Sequence, residues 1–172
     1  MAGFLFQGAI MAVVDNAFET KGTHLYFVDP VTHAAVKLTC PTGITGIGGG
    51  SKDKIDTTCL DETGAYRTYV GGFADASEVS VPFILYKGDG SHESLFTMRD
   101  NNAVVSWLVG LSDSSTAPTV TSNFELDPPN ARTCLTFDGY VSNLTIDAAT
   151  NEVVRGTLTI QPSGTTTFHP AA

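Results

Sequence analysis

The segment SEVSVPFIL, residues 77–85, puts Val79, Val81, Phe83 and Leu85 on one face of an extended chain and Glu78, Ser80 and Pro82 on the other. Successive side chains of a strand point to opposite faces, so this spacing gives one buried and one wetted face as a strand and scrambles them as a helix. The same alternation recurs along the chain and sets its fold class. HLYFV and AAVKLTC flank DPVTH, where Pro30 presets a turn, so about His24 to Cys40 reads as a hairpin. AVVSWLVGL is a further strand, and RTCLTFDGYVSNLTI and EVVRGTLTI are two more, joined by DAATN. In the first of that pair Leu135, Phe137 and Val141 share one face, Thr136, Asp138 and Tyr140 share the other, and Gly139 is the natural bend or bulge. In the second, Val154, Leu158 and Ile160 alternate with Arg155, Thr157 and Thr159. Pro82 cannot donate to a sheet ladder and marks its strand as an edge or a bulge. Only HESLFTMRDN reads as a helix, with Ser91 as N-cap, Glu93 in the first turn, and Leu95, Phe96 and Met98 packing it onto the sheet. The chain is mostly β, with one short α-helix.

A length of 172 residues and a hydrophobic content of 42% suit one well-filled core, and no internal repeat or linker divides the chain. Residues 1–172 therefore read as a single domain with mobile parts. The N-terminal arm, 1–14, is apolar but has no Lys or Arg before Lys21 and no small-residue cleavage site, so it reads as part of the mature protein. It is also shorter than the roughly 20 apolar residues that a membrane span requires. The glycines of PTGITGIGGGSKDK make 42–54 a flexible loop, because glycine loses the most backbone entropy when held in a strand. The tail, 163–172, has the composition of an unpacked end.

Eighteen acidic residues against nine basic ones give a net charge of -9, the wrong sign for gripping a phosphate backbone. Cys40, Cys59 and Cys134 are odd in number and widely spaced, with no C-x-x-C pair, so they read as small buried thiols of a reducing compartment. The histidines His24, His33, His92 and His169 are isolated; His24 and His33 can meet across the hairpin, but no third metal ligand accompanies them. In GIGGGSK the order Ser51, Lys52 reverses that of a phosphate loop, and the last glycine of a dinucleotide fingerprint is missing. Asp56, Asp61, Glu62, Asp75 and Glu78 match neither an EF-hand nor a defined glycosidase pair, and no G-x-S-x-G element occurs. The acceptor-like NLT at Asn143 falls inside a predicted strand. No catalytic, cofactor-binding or metal-ligating residue is assigned, and no small-molecule substrate. Trp107 reads as core; with Tyr66, Tyr69 and Tyr140 it also leaves open a stand-alone β-sandwich module that binds carbohydrate or acts as an adhesin. Open strand edges and glycine-rich loops equally suit a protein that assembles.

The order of these features carries a resemblance. KIDTTCLDETGAYRTYVGGFADASEVSVPFIL, then HESLFTMRDNN, AVVSWLVGL and RTCLTFDGYVSNLTIDAATNEVVRGTLTIQPSG, from about Ile55 to Gly164, resemble the major tail tube proteins of lambda-like siphophages, which have long non-contractile tails. The most telling parts are IDTTCLD before a loop that ends in G-x-x-D-x-x-E, and F-x-G-Y-V-S followed by V-x-x-x-L-T-I. The resemblance implies a β-sandwich or barrel-like fold flanked by a helix, with six copies in a ring whose inner strands join, and rings stacked into a hollow tube. It implies a structural virion protein of the phage tail, made in the host cytoplasm, without enzyme activity or cofactor. The implied partners are other copies of the chain and tape-measure, tail-tip and tail-terminator proteins, while DNA passes through without specific binding. Secretion-system tube proteins share the fold. The C-terminal immunoglobulin-like domain of some lambda-like members is not expected, because the chain stops at Ala172.

The strand alternation then assigns residues to surfaces. Asp56, Glu78 and Asp138 are expected to face the lumen, where carboxylates repel passing phosphates. Phe4, Phe6, Ile44, Ile47 and Lys52, from the arm and the glycine-rich loop, are expected between stacked rings. Asp61, Tyr66, Arg67, Tyr69 and Asp75 are expected between subunits.

Overall fold

The computed structural model describes residues 17–61 and 63–172; Phe4, Phe6 and Glu62 lie outside them. Within them the chain runs β1 (His24–Val28), β2 (Ala35–Lys37), β3 (Gly50–Asp56), β4 (Tyr69–Ala76), β5 (Val79–Ile84), α1 (Gly90–Asn101), β6 (Val105–Gly110), β7 (Thr119–Val120), β8 (Leu126–Asp127), β9 (Cys134–Asp147), β10 (Arg155–Pro162) and β11 (Thr167–His169). The expected hairpin is β1–β2, and the expected helix is α1.

Strand β9 organises the main antiparallel sheet, whose order is β2-β1-β6-β9-β10-β5. The path has two ends, so the sheet does not close into a barrel. The first half of β9 pairs with β6 and β11, and its second half pairs with β10. The changeover comes at Gly139, in register with both Val105 and Pro162. A Cβ there would stand 2.8 Å from the Gln161 carbonyl oxygen, so glycine lets the neighbouring strand approach. The bulge lies further along, at Ser142 rather than Gly139: Thr159 pairs with Asn143 but Ile160 with Val141. One extra residue flips the alternation, and so Val141 and Leu144 both reach the core.

One face of the sheet carries that core. Phe27 and Trp107 join Val81 and Phe83 of β5, Leu158 and Ile160 of β10, and Leu95 and Met98 of α1. Trp107 is fully buried, and its indole N–H donates to the Gly139 carbonyl at 3.0 Å. That bond satisfies the polar tip of the ring and removes Trp107 from any exposed binding platform. On the opposite face Tyr26, Val28, Leu108, Cys134 and Leu126 form a smaller cluster beneath β7 and β8.

Two segments expected to be loose are packed. Edge strand β5 carries Pro82, as its chemistry requires, and the chain before β3 lies along it: the Thr42 N–H donates to Pro82 O at 2.7 Å, and Thr45 and Ser80 exchange bonds of 2.9 Å. Ile44 and Ile47 pack against the core, and from Gly50 the chain is strand β3, so 42–54 is not a structureless loop. Its glycines serve close approach. At Gly46, with φ +89°, a Cβ would fall 2.2 Å from Glu78 O. The tail is tied down through β11, through a 2.9 Å bond between His169 Nε2 and Thr136 Oγ1, and through the Ala172 N–H, which donates to Asn130 O at 2.9 Å.

The helix is capped by Asp89 rather than by Ser91. The Asp89 carboxylate accepts from the Ser91 N–H at 2.9 Å and from the Ser91 hydroxyl, while Ser91 itself is buried and takes the Thr39 N–H at 3.2 Å. Donation from Ser91 outweighs burial and holds the Asp89 carboxyl at about 2. A carboxyl with a depressed folded pKa contributes stability above its unfolded value of 3.8 and loses it as pH falls from there toward about 2. Asp89→Ala is therefore expected to cost about 1 kcal/mol in urea unfolding at neutral pH. The gap from the parent should close as pH falls through that window; a gap of constant size would contradict the assignment.

Candidate assembly surface

Strands β3 and β4 form a two-stranded ribbon apart from the main sheet. Their sequences, GSKDKID and YVGGFADA, bury no face, and every residue of β3 is exposed. A lone ribbon of this kind is marginal in water. Local bonds hold its far end. Asp56 accepts from the Thr58 N–H at 2.9 Å and from Arg67 Nη1 at 3.3 Å, and Thr57 N–H donates to Thr68 O at 3.0 Å. Donation from Thr58 and the Arg67 guanidinium keep the Asp56 carboxyl below its ordinary value. Lys54 Nζ lies 3.6 Å over the ring of Tyr69. The ribbon's apolar side chains find no cover: Phe73 is 90% and Tyr66 88% exposed, and Ile55, Leu60 and Val70 are exposed too. Exposed apolar groups gathered in one place are the common property of contact surfaces, which makes the ribbon the candidate.

The ribbon and its connection bring together Lys52, Asp56, Asp61, Tyr66, Arg67, Tyr69 and Asp75, all of them exposed. Ile44 and Ile47 stand apart from it, held in the body of the subunit.

A second surface is the face of β5, β10 and the far half of β9 that points away from the core. Register aligns Ser80 with Thr159 and Asn143, and Pro82 with Thr157 and Thr145, in a band of hydroxyl and amide groups. Alternation extends the face to the exposed Glu78, and the register of Tyr140 with Gln161 extends it toward the exposed Asp138. Asp138 sits in a furrow with Ser106 and Glu125, between the loop at Phe124 and the Ser163–Thr167 connection. Sequence reasoning did not find Phe124 and Glu125, because they fall in a polar stretch with no strand period.

Among the described residues no catalytic constellation emerges. His24 lies 3.3 Å from Arg132 and 3.4 Å from the Tyr26 hydroxyl, and burial and Arg132 push its pKa down. His33 stacks on Phe124 instead of meeting His24. The buried His92 accepts the Tyr86 N–H at Nδ1 and contacts Thr39 O through Nε2. Among the described residues no group of three or more His, Cys, Asp or Glu is placed to hold a metal ion. All three cysteines are free; Cys134 is buried, but Cys59, expected to be buried, is exposed beyond the end of β3.

The chain is similar to known proteins over most of its length. The family described as phage tail tube, TTP, lambda-like matches residues 16–172. Structural protein 3 of Pseudomonas phage PAJU2 is 35% identical over 154 residues, 87% of this chain and 92% of that protein. The SPP1 tail tube superposes with a TM-score of 0.60 at 11% identity, over 89% of this chain and 79% of that one. The tail of an empty gene transfer agent particle, refined with C6 symmetry, superposes with a TM-score of 0.63 at 13% identity, over 90% and 100%. At such identities the two structures speak to the fold, a mostly β tail tube fold.

Proposed function

The chain belongs to the lambda-like phage tail tube family, and from that premise we propose that its copies close into rings, six to a ring, that stack into the hollow tube of the tail. The family's role is structural, so the chain is a building block of the virion tail and not an enzyme. The binding-module reading falls with that assignment and with the burial of Trp107. The observation that carries assembly is the β3–β4 ribbon, exposed on both faces and rich in uncovered aromatic and aliphatic side chains. Burying it between copies supplies the apolar contact that a single subunit withholds from it. The C6 symmetry of the gene transfer agent tail supports the ring number.

Residue roles follow from position. Asp61, Tyr66, Arg67, Tyr69 and Asp75 lie on the ribbon or its connection and serve contacts between subunits. Lys52 serves contacts between rings; Ile44 and Ile47 are already engaged in the core of their own subunit. The bore is walled by the hydroxyl-rich face of β5, β10 and β9, with Glu78 and, opposite Arg155, Asp147 as its carboxylates. Hydroxyl and amide groups dominate there, and the basic Arg155 stands in register with Asp147, so passing DNA meets no deep well. Asp56, bonded to Arg67, and Asp138, set in its furrow, leave the lumen to Glu78 and Asp147. Tape-measure, tail-tip and terminator proteins complete the partner set. Purified protein mixed with tail-tip complex is expected to give tubes in negative-stain images; a compact monomer at high concentration with that complex present would contradict the reading.

A further inference from the structure

The furrow beside Ser106 holds two carboxylates, Glu125 and Asp138, and no Lys or Arg lines it. Neither carboxylate has an ion pair among the described residues. Its rim is apolar: Val104 is 59% and Phe124 52% exposed. The rim is also built. His33 and Phe124 come from separate loops, each with left-handed backbone, φ 54° and 62°, and their rings stack 4.0 Å apart at the mouth. Histidine visits that conformation more readily than most residues, but for the bulky Phe124 it is costly and is held by the surroundings. An acidic furrow with an apolar rim fits a segment that is basic and apolar at once.

The chain displays such a segment. Of its nine Lys and Arg, Lys52 and Lys54 lie on the β3–β4 ribbon and Arg67 in its connection, beside exposed Ile55, Val70 and Phe73. Arg67 is paired with Asp56 and Lys54 rests on Tyr69, whereas Lys52 has no ion pair or ring contact among the described residues. No ribbon residue lines the furrow of its own subunit. We propose that the furrow receives the β3–β4 ribbon of a neighbouring copy, Lys52 meeting Glu125 and Asp138 while the ribbon's apolar side chains cover Val104 and Phe124. This rests on the assembly reading above and gives Lys52 its partner.

The test is a charge swap in the full chain, assembled on tail-tip complex. Glu125→Lys with Asp138→Lys is expected to keep the parent's circular dichroism and to lower tube yield at least about tenfold, because like charges then face one another across the contact. Adding Lys52→Glu to the same chain is expected to restore tubes. Parent tubes that form alongside equally abundant double-variant tubes overturn the furrow assignment alone, as does a triple variant that is not rescued. A parent that makes no tubes sinks the assembly reading and this inference with it. Should the double variant fail to fold, a photoreactive benzoylphenylalanine in place of Val104 decides the matter in assembled tubes. The expected crosslink is to residues 50–76 of a second copy; a crosslink only to another tail protein, or to other parts of the copy, overturns the proposal.

Discussion

Replacing Arg132 by methionine is expected to lower the stability of the folded subunit by about 3 kcal/mol or more. The guanidinium is 1% exposed and has no carboxylate within ion-pair distance among the described residues. It is held by carbonyls: Nε donates to Leu111 O at 2.7 Å, and Nη2 to Gly110 O at 2.8 Å and Gly22 O at 2.9 Å. One side chain thus fastens the approach to β1 to the end of β6. Methionine approximates its length but supplies no donor, which leaves those carbonyls without this partner. The thermal midpoint should fall by about 6 °C or more for a chain of this size. Arg132→Lys, with one compact ammonium in place of a planar fork, should fall between the two. His24 provides a second readout. Its depressed pKa makes stability decline as pH drops below its unfolded value of 6.5, and loss of the Arg132 charge should reduce that slope. Unchanged urea midpoints for Arg132→Met would refute the structural role.

Excising the ribbon is expected to abolish tubes while leaving the subunit folded. Gly50 and Ala76 are Cα partners, so residues 51–75 can be replaced by a two-residue Asn-Gly turn without straining the body. No residue from 50 to 76 belongs to either buried cluster, so the stability change should stay within about 1 kcal/mol. Excision of 42–54 would be a poorer experiment, because Thr42 and Thr45 bond the β5 edge and Ile44 and Ile47 support the core. Tubes of normal length from the excised chain would show that the ribbon is not an assembly element.

The strand faces were legible where one side is buried. Val79, Val81 and Phe83 are 0–1% exposed, as period two demands, and the helix stands where its pattern put it. The ribbon was not legible, because a strand exposed on both faces leaves no hydrophobic period and its glycines resemble those of a loop. Gly46 and Gly50 are there for close approach to the β4–β5 junction, a tertiary reason invisible in local sequence. The tail was missed for a similar cause: QPSGTTTFHPAA has the composition of an unpacked end, yet β9 offers β11 an open edge. The furrow draws on β6, β9 and two loops that only the fold brings together. Alternation puts Glu78 on a wetted face, and the glycine-rich stretch singles out Lys52, but neither signal says what the side chain faces.

A helical reconstruction of tubes at side-chain resolution decides how the copies are arranged. Closed rings of six copies are expected, stacked, with Thr157, Thr159 and Asn143 turned to the channel and each ribbon buried against another copy. Rings in which that face lies on the outer wall, or ribbons left in solvent along the tube, would contradict that arrangement.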